Sequence, residues 1–211
     1  MDYKVEIAGT TYYKSDISSV VIKRPLFDKL SVGNACSAEL DISIWPISTI
    51  PKMAKLVPWV REDDTSSWTK LGDFYIYTRE ITDELMHIVA YDSMMRAEQI
   101  WIPDQSLEFP MSMVSAVNTI AGIMGIEVDS RTTIDSSYTI DYPANDYTLR
   151  DVLGYIAAAN SGNWIITASG QLLLVPLFSS MPVETNYLID ERGNSITFGG
   201  VRIIVSTIST I

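Results

Sequence analysis

The residues that could do chemistry are few in this sequence. A serine or cysteine nucleophile needs a base within reach, usually a histidine. The sequence contains one histidine, His87, and one cysteine, Cys36. His87 lies between Met86 and Ile88 in an apolar run, where we expect a satisfied or surface histidine. Cys36 falls on the apolar face of a predicted strand, where it is expected to be a small buried side chain. The sequence has no cluster of thiolates and imidazoles for zinc.

The carboxylates form no catalytic or metal-binding pattern either. The run 62–64 (EDD) lies in a polar loop, and the acidic pair 190–191 lies at a predicted hairpin turn, where acids are ordinary. The acidic spacing of a calcium loop is absent, and no pair of acids stands out as a glycosidase pair. Gly122 and Gly125 belong to a helical pattern rather than to a phosphate-binding loop. The sequence therefore predicts no catalytic, cofactor-binding or metal-binding residue, no cofactor and no enzyme.

Composition indicates a globular protein that can bury a core. The chain has 211 residues, of which 47% are hydrophobic and 19% charged. Lys plus Arg number 15 and Asp plus Glu 26, so the net charge is −11. Such a balance argues against wrapping nucleic acid, although it is compatible with lining a passage through which nucleic acid slides. No apolar run reaches the ~20 residues of a membrane span. The N-terminus lacks the apolar stretch of a secretory signal, and the single cysteine suits a reducing cytoplasm.

The stretch GDFYIYTREITDELMHIVAYD, residues 72–92, predicts a hairpin around which the first part of the chain is organised. A period of two places Phe74, Ile76 and Thr78 on one face of its first strand. Residues 82–84 supply the turn. Further strands are predicted at 2–7, 11–13, 17–24, 35–44 and 54–60, the first two around a tight turn at 8–10. Strands at this spacing predict a small barrel or sandwich over residues 1–91.

Helical spacing begins after Asp92. A short helix is predicted at 93–99. Ser112 is a good N-cap for a helix over 113–124 that ends at Gly125, and Thr148, with Asp151 three residues later, caps a second helix that ends near 160–162. Strands 164–168 and 171–175 flank the predicted two-residue turn Ser169-Gly170. Residues 178–211 return to β signals, with a predicted hairpin of 187–190 with 195–198 and a last strand over 201–205.

Aromatic residues concentrate in the β part and leave two interpretations open. They are Tyr12, Tyr13, Trp45, Trp59, Trp68, Phe74, Tyr75 and Tyr77. The first interpretation is core packing together with contacts between subunits. The second is a platform that binds carbohydrate.

Five stretches of the sequence carry a resemblance to a known family. In chain order they are SAELDIS, SSWTKLGDFYIYTRE, AYDSMMRAEQ, YTLRDVLGYIAAANSGNWIITASGQLLLVP and YLIDERGNSITFGG. Together they resemble the N-terminal part of baseplate hub or tail-tip proteins of phages and prophages of Gram-positive bacteria. More distantly, they are similar to hubs of contractile tails and to the spike bases of type VI secretion systems. The resemblance covers nearly the whole chain, and its motifs are structural patterns rather than catalytic signatures.

The resemblance implies an α+β fold in three parts. It implies a tail-tube-like β-barrel over 1–91, an α/β insert over 92–177, and the start of a second barrel, short or truncated, over 178–211. It also implies a homotrimeric ring in the virion tail, assembled in the host cytoplasm, through which DNA passes. The implied partners are a tail tube or distal tail protein, a spike or tip protein and a tape measure protein. Two alternatives stay open: the hub region of a tail-associated cell-wall hydrolase, and a host-glycan-binding module.

Overall fold

The computed structural model describes residues 1–26, 31–45, 49–102 and 107–177, together with four strands of two residues each further along. Contacts divide the chain into two units, Met1–Leu177 and Phe178–Ile211. The β-strands of the first unit are β1 Asp2–Ile7, β2 Thr10–Tyr13, β3 Ile17–Lys23, β4 Glu39–Ile44, β5 Lys55–Arg61, β6 Thr69–Lys70, β7 Phe74–Thr82, β8 Leu85–Tyr91, β9 Met111–Ser112, β10 Thr139–Ile140, β11 Gly162–Ile166 and β12 Leu172–Pro176. Its α-helices are α1 Met113–Met124 and α2 Leu149–Ala159, and its 3₁₀ helices are Lys14–Asp16 and Ser93–Glu98.

Strands β1 to β8 form one antiparallel sheet in the order β2-β1-β5-β7-β8-β4-β3, with β6 beside β5. The two end strands pair with no further strand among the described residues, so the expected closed barrel is wrong and the sheet is open. The connection between these end strands gives the reason. Tyr13 N–H donates to the Asp16 carboxylate (2.9 Å), and the Asp16 carbonyl accepts from Trp45 N–H (3.0 Å). These two hydrogen bonds, and no β2–β3 ladder, satisfy the turn.

The inner face of this sheet carries a core of its own. Every second residue of the central strands is buried, as the period of two requires. The members of this β core include Val5, Ile7, Tyr12, Ile17, Leu40, Ile42, Ile44, Leu56, Phe74, Ile76, Ile88 and Ala90. Because no helix contributes to the cluster, the sheet must curve around its own side chains to bury them.

The central hairpin forms where the sequence predicted it, with one local difference. Asp83 and Glu84 make its turn and both have positive φ, 51° and 69°, as the right-handed twist of a two-residue hairpin favours. The register between β7 and β8 shifts between Ile76 and Thr78. This bulge at Tyr77 breaks the predicted alternation, because beyond it Arg79 lies opposite Ile88 on the core face.

The predicted strand 35–44 is shorter than expected. Strand β4 begins at Glu39, and the residues before it turn toward the helical part of the unit. Ala35 bridges to Trp164, and Cys36 N–H donates to the Trp164 carbonyl at 3.0 Å. The sequence pattern predicted a strand here because Ala35, Cys36 and Ala38 are buried, whether the segment pairs in the sheet or packs on the helical part.

Both predicted helices are confirmed with their caps. The Ser112 hydroxyl accepts from Ser115 N–H at 3.1 Å at the start of α1, which ends at Gly125 with φ 68°. Thr148 begins α2 in a reciprocal capping box with Asp151. The short helix before them is a 3₁₀ helix capped by Asp92. The buried faces of these helices pack on the β11–β12 hairpin in a second core that contains Trp101, Val117, Ile120, Leu153, Ile156, Trp164 and Leu172.

The turn between β11 and β12 differs from the predicted two-residue turn. Thr167 N–H donates to the Gln171 carbonyl at 2.9 Å, which leaves three residues in the loop, and Gly170 has φ 87°. In the second unit, β13 Asn186–Tyr187 pairs with β16 Ile204–Val205, and β14 Thr197–Phe198 pairs with β15 Val201–Arg202. The predicted pairing of 187–190 with 195–198 is therefore wrong at Tyr187, and residues 188–190 lie outside the described residues.

Candidate functional site

The structure places the two residues that first suggested chemistry, His87 and Cys36, in different settings. His87 lies on the outer face of β8, where its Nε2 is 2.8 Å from Asp41 Oδ1 on β4. Cys36 is buried, its backbone N–H donates to the Trp164 carbonyl, and it is in no disulfide. Ser43 lies opposite His87 in the strand register, but among the described residues His87 hydrogen-bonds through its side chain to Asp41 and to no hydroxyl or thiol. The arrangement is that of a hydrogen-bonded surface histidine.

The acidic loop after β5 is built as a turn. Asp63 Oδ1 accepts from the backbone N–H groups of Thr65 and Ser66 and from both hydroxyls, at 2.7–2.9 Å. These hydrogen bonds, led by that of the Thr65 hydroxyl, lower the pKa of Asp63 to about 2. Within the part of the chain that the structure describes, no group of three or more His, Cys, Asp or Glu side chains could hold a metal ion. The pair 190–191 lies outside the described residues.

A buried polar joint connects the sheet with the helical part. Asp92 follows β8 and accepts from Ala38 N–H (2.8 Å) and Met94 N–H (3.0 Å) while only 4% exposed. Burial raises the pKa of Asp92 to about 6, against the opposing effect of these hydrogen bonds and of Arg150. Arg150, in α2, donates to the Ala35 carbonyl, to Ser37 Oγ and to the Met94 carbonyl. The joint satisfies its own polar groups, which favours a positioning role.

The exposed face of strands β3, β4, β8 and β7, which we call the ribbon face, carries an ordered array of polar side chains. The strand registers align its outward side chains in three rows. In the order β3, β4, β8, β7, these rows are Lys23, Glu39, Tyr91, Tyr75; Val21, Asp41, Val89, Thr78; and Ser19, Ser43, His87, Glu80. Each row crosses four strands. Neighbouring side chains in a row lie about 5 Å apart, close enough to form hydrogen bonds and ion pairs with one another.

Contacts along the ribbon face pair several of its charged side chains. Glu39 lies between Lys23 Nζ (2.7 Å) and the Tyr91 hydroxyl (3.0 Å). The hydrogen bond from Lys23 lowers the pKa of Glu39, and burial together with Glu39 raises the pKa of Tyr91. Tyr77 packs edge-on against Tyr91, with ring centroids 5.4 Å apart. These contacts link the outward side chains of neighbouring strands.

The aromatic residues of the β part are mostly occupied within the chain. Tyr12 and Phe74 are buried in the β core. On the opposite face, Lys4 Nζ lies over the rings of Trp59 and Trp68, at 5.4 and 5.2 Å from their centroids, and Arg61 stacks on Trp68. These contacts leave Trp59 and Trp68 poorly placed to form a flat sugar platform.

Sequence reasoning missed the exposed aromatic residues of the helical part. Tyr138, Tyr142, Tyr147 and Tyr155 expose between 41% and 81% of their surface, and Tyr147 packs edge-on against Tyr155. Residues 92–177 also carry ten acidic residues against three arginines and no lysine. The signal was present in the sequence as the segment 138–147, in which tyrosines and aspartates alternate with turn residues.

Comparisons with known proteins show what this fold resembles. A 43 kDa tail protein of prophage MuSo2 from Shewanella oneidensis superimposes with a TM-score of 0.60 at 13% identity, over 93% of this chain and 61% of that one. The tail protein from Neisseria meningitidis MC58 gives a TM-score of 0.58 at 12% identity, over 92% of this chain and 59% of that one. The chain thus spans about three fifths of the length of each. At these identities the likeness concerns the fold alone.

No family model and no curated protein matches the sequence. Among the described residues, no helix is both long and apolar enough to cross a membrane. The fold is therefore similar to that of phage tail proteins, and it is mixed, mostly antiparallel sheet with few helices.

Proposed function

We propose that this chain is a structural component of a phage or prophage tail, a baseplate hub that joins the tail tube to the spike or tip. One observation carries the proposal: the likeness to two tail proteins runs through more than nine tenths of this chain. If only one of the two parts of this chain resembled those proteins, the superposition would cover only the sheet or only the helical part. The same proposal includes the Gram-positive host that the sequence motifs favour.

The proposed hub has the three parts that the sequence predicts: a tube-like domain over 1–91, an α/β insert over 92–177, and the beginning of a second tube-like domain over 178–211. Two separate hydrophobic cores support the first boundary, because the β core ends with Ala90 and the helical core, apart from Ala35, is formed by residues from Met94 onward. In the assembled tail, three copies would form the ring. The open edges of the sheet are then available to neighbours.

The proposed role needs surfaces rather than a reaction. A net charge of −11 disfavours adhesion to DNA, which suits a ring through which DNA passes without specific binding. The partners would be the tail tube or distal tail protein, the spike or tip protein and the tape measure protein. We propose no enzymatic activity for residues 1–211, and a location in the virion tail after assembly in the host cytoplasm.

Tail particles from the strain that encodes this chain test the proposal. We expect mass spectrometry of purified tails to find the chain in fixed ratio to the tube protein, and gold-labelled antibody to mark the tip end. Particles prepared after deletion of the gene should lack the tip or fail to assemble. Intact, infectious tails that lack the chain would contradict the proposal.

A glycan-binding module is the second candidate, favoured by the four exposed tyrosines of the helical part. Aromatic rings at a surface stack on sugar rings, and the neighbouring carboxylates can accept hydrogen bonds from the sugar hydroxyls. A glycan array made from host cell-wall sugars tests it. Binding that is lost when Tyr142 and Tyr155 are changed to serine would favour this role over a purely structural one.

A further inference from the structure

The outer face of helix α2 carries two exposed tyrosines and an exposed carboxylate. Asp151 and Tyr155 are four residues apart in the helix, so they lie on the same side of it. Tyr147, just before the helix, packs edge-on against Tyr155 with ring centroids 5.6 Å apart. The two tyrosines expose 45% and 61% of their surface. We call these three residues the Tyr-Asp-Tyr stripe.

The carboxylate of Asp151 keeps one oxygen for a further contact. Its Oδ2 accepts from the backbone N–H of Thr148 (2.9 Å) and from the Thr148 hydroxyl (2.6 Å). Among the described residues no group donates to its Oδ1. The hydrogen bond from the Thr148 hydroxyl, followed by that from the N–H, lowers the pKa of Asp151, so the carboxylate is ionised at neutral pH. The stripe therefore holds a fixed negative charge beside two aromatic rings.

A groove of about 410 Å³ lies beside the stripe, between α2 and the loop before β4. Asp151 and Tyr155 line it, together with Gly33 and Gly154. Because these two glycines have no side chains, the space between the helix and the loop stays open. A long side chain that packs on the Tyr155 ring can therefore extend along the groove and reach the carboxylate of Asp151.

The charges around the stripe favour a cationic occupant. Asp146 directly precedes Tyr147 and is exposed. Arg150 also lines the groove, but it is paired with Glu98 at 2.6 Å and its side chain is only 26% exposed. Residues 92–177 contain ten acidic residues against three arginines and no lysine. A partner that brings positive charge to this face complements it, which steers the encounter and selects the partner.

We propose that the Tyr-Asp-Tyr stripe and its groove dock a segment of another protein through an arginine or lysine side chain. The stem of that side chain lies on the Tyr155 ring, and its cation binds Oδ1 of Asp151. A contact between cation and ring and a charge-assisted hydrogen bond then act on the same group. The inference rests on the proposed tail function, to which it adds the chemistry by which a partner is recognised.

A cationic side chain fits this place better than a sugar ring. A sugar stacks on a flat aromatic surface, whereas the rings of Tyr147 and Tyr155 stand at 87° to each other and share no plane. A narrow side chain needs only one of the two rings. A neutral sugar also gains nothing from the acidic surroundings, while the affinity for a cation depends on them and falls as salt is added.

A fluorescein-labelled peptide of alternating arginine and serine residues tests the docking by fluorescence anisotropy with the full chain. Asp151→Asn removes the charge and keeps an acceptor for Thr148, and Tyr155→Leu removes the ring. We expect each to weaken binding about fivefold. Tyr155→Phe should bind as the wild type does, because it keeps the ring. The same peptide with citrulline for arginine should bind more weakly, because citrulline has the shape of arginine without its charge.

The matched control is Asp83→Asn, which removes the same charge from the exposed hairpin turn of the sheet. Asp83 has φ 51°, a conformation that asparagine tolerates. Thermal unfolding checks that all variants fold. Equal weakening by Asp83→Asn and Asp151→Asn would show that the peptide binds the acidic chain as a whole, and this result would overturn the proposal. Failure of the peptide to bind, or binding of a cell-wall glycan that needs Tyr155 but not Asp151, would overturn it as well.

Photo-crosslinking in purified tails separates the docking from the proposed function. With Tyr155 replaced by photoreactive benzoylphenylalanine, we expect a link to a segment of another tail protein that carries arginine or lysine, identified by mass spectrometry. If the chain is present in tails but links only to a second copy or to a segment without these residues, the docking is wrong and the tail role stands. If the chain is absent from tails while the peptide still distinguishes the variants, the docking holds and the tail role fails.

Discussion

Gly33 and Gly154 lie in direct backbone contact, so that the loop before β4 rests on helix α2. A Cβ on Gly154 would be 2.8 Å from the Gly33 carbonyl oxygen, and a Cβ on Gly33 would be 3.0 Å from the Ala158 Cβ. Gly33 also has φ 90°, a conformation that side chains disfavour. This contact fixes the position of the loop before β4 against helix α2.

Gly154→Ala should therefore destabilise the protein although alanine favours helices. The new methyl group must displace a backbone carbonyl, which costs about 1–3 kcal/mol. Gly122→Ala in α1 is the matched control, because a Cβ there has nothing within 4 Å, and it should stabilise by up to about 1 kcal/mol. Urea unfolding of both variants measures the difference, and a stabilised Gly154→Ala would refute the contact.

Arg150→Lys should loosen the joint between sheet and helices. The guanidinium donates to acceptors on two segments, Ser37 Oγ (2.9 Å) and the Met94 carbonyl (3.2 Å), and also pairs with Glu98 (2.6 Å). A single ammonium group cannot make these contacts together, so the free energy of unfolding should fall by about 2 kcal/mol.

The control for Arg150 is Arg131→Lys. Arg131 pairs within its own loop with Asp129 at 2.7 Å, and its side chain is 68% exposed. Its replacement should change the free energy of unfolding by less than about 1 kcal/mol. Chemical denaturation of the two variants side by side measures both effects, and equal losses would argue against a special role of the joint.

Asp92 should make stability fall as the pH rises above 4. Its pKa is raised from 3.8 to about 6 in the folded chain, so the stability linked to its protonation is complete below pH 3.8 and is lost as the pH passes through 6. The loss amounts to about 3 kcal/mol. Asp63, with a pKa of about 2, acts in the opposite direction but only below pH 4.

Asp92→Asn removes this titration and retains one acceptor for the neighbouring N–H groups. Its free energy of unfolding, measured between pH 4 and pH 7, should vary less than that of the wild type, and the two profiles should converge or cross toward pH 7. Parallel profiles over this interval would show that Asp92 ionises normally in the folded protein.

The two N-caps allow a paired test of helix capping. Thr148→Ala removes a hydroxyl that accepts from Asp151 N–H (3.1 Å) and donates to the Asp151 carboxylate (2.6 Å). Ser112→Ala removes one that accepts from Ser115 N–H without a reciprocal acid. Each should cost about 1 kcal/mol, with the larger loss at Thr148. Thermal unfolding would contradict this order if Ser112→Ala were the more damaging change.

Local features of this protein were readable from the sequence because they depend on neighbours in the chain. The cap residues Ser112 and Thr148 bond to N–H groups three positions away, and Gly125 ends α1 through its own backbone conformation. The two strands of the central hairpin followed from alternation, and the turn Asp83-Glu84 between them needs no distant partner. The resemblance to tail proteins also came from sequence patterns, and the fold comparisons agree with it at the level of the fold.

Only the tertiary structure decided the relations between distant segments. The bulge at Tyr77 depends on pairing with β8, and the early end of the 35–44 pattern depends on Trp164. That the sheet is open depends on the order in which its strands pair. Apolar alternation cannot distinguish these outcomes, because it reports burial and not the partner that provides it. The open edges of β2 and β3 are of the same kind, since an edge exists only once the order of the strands is known.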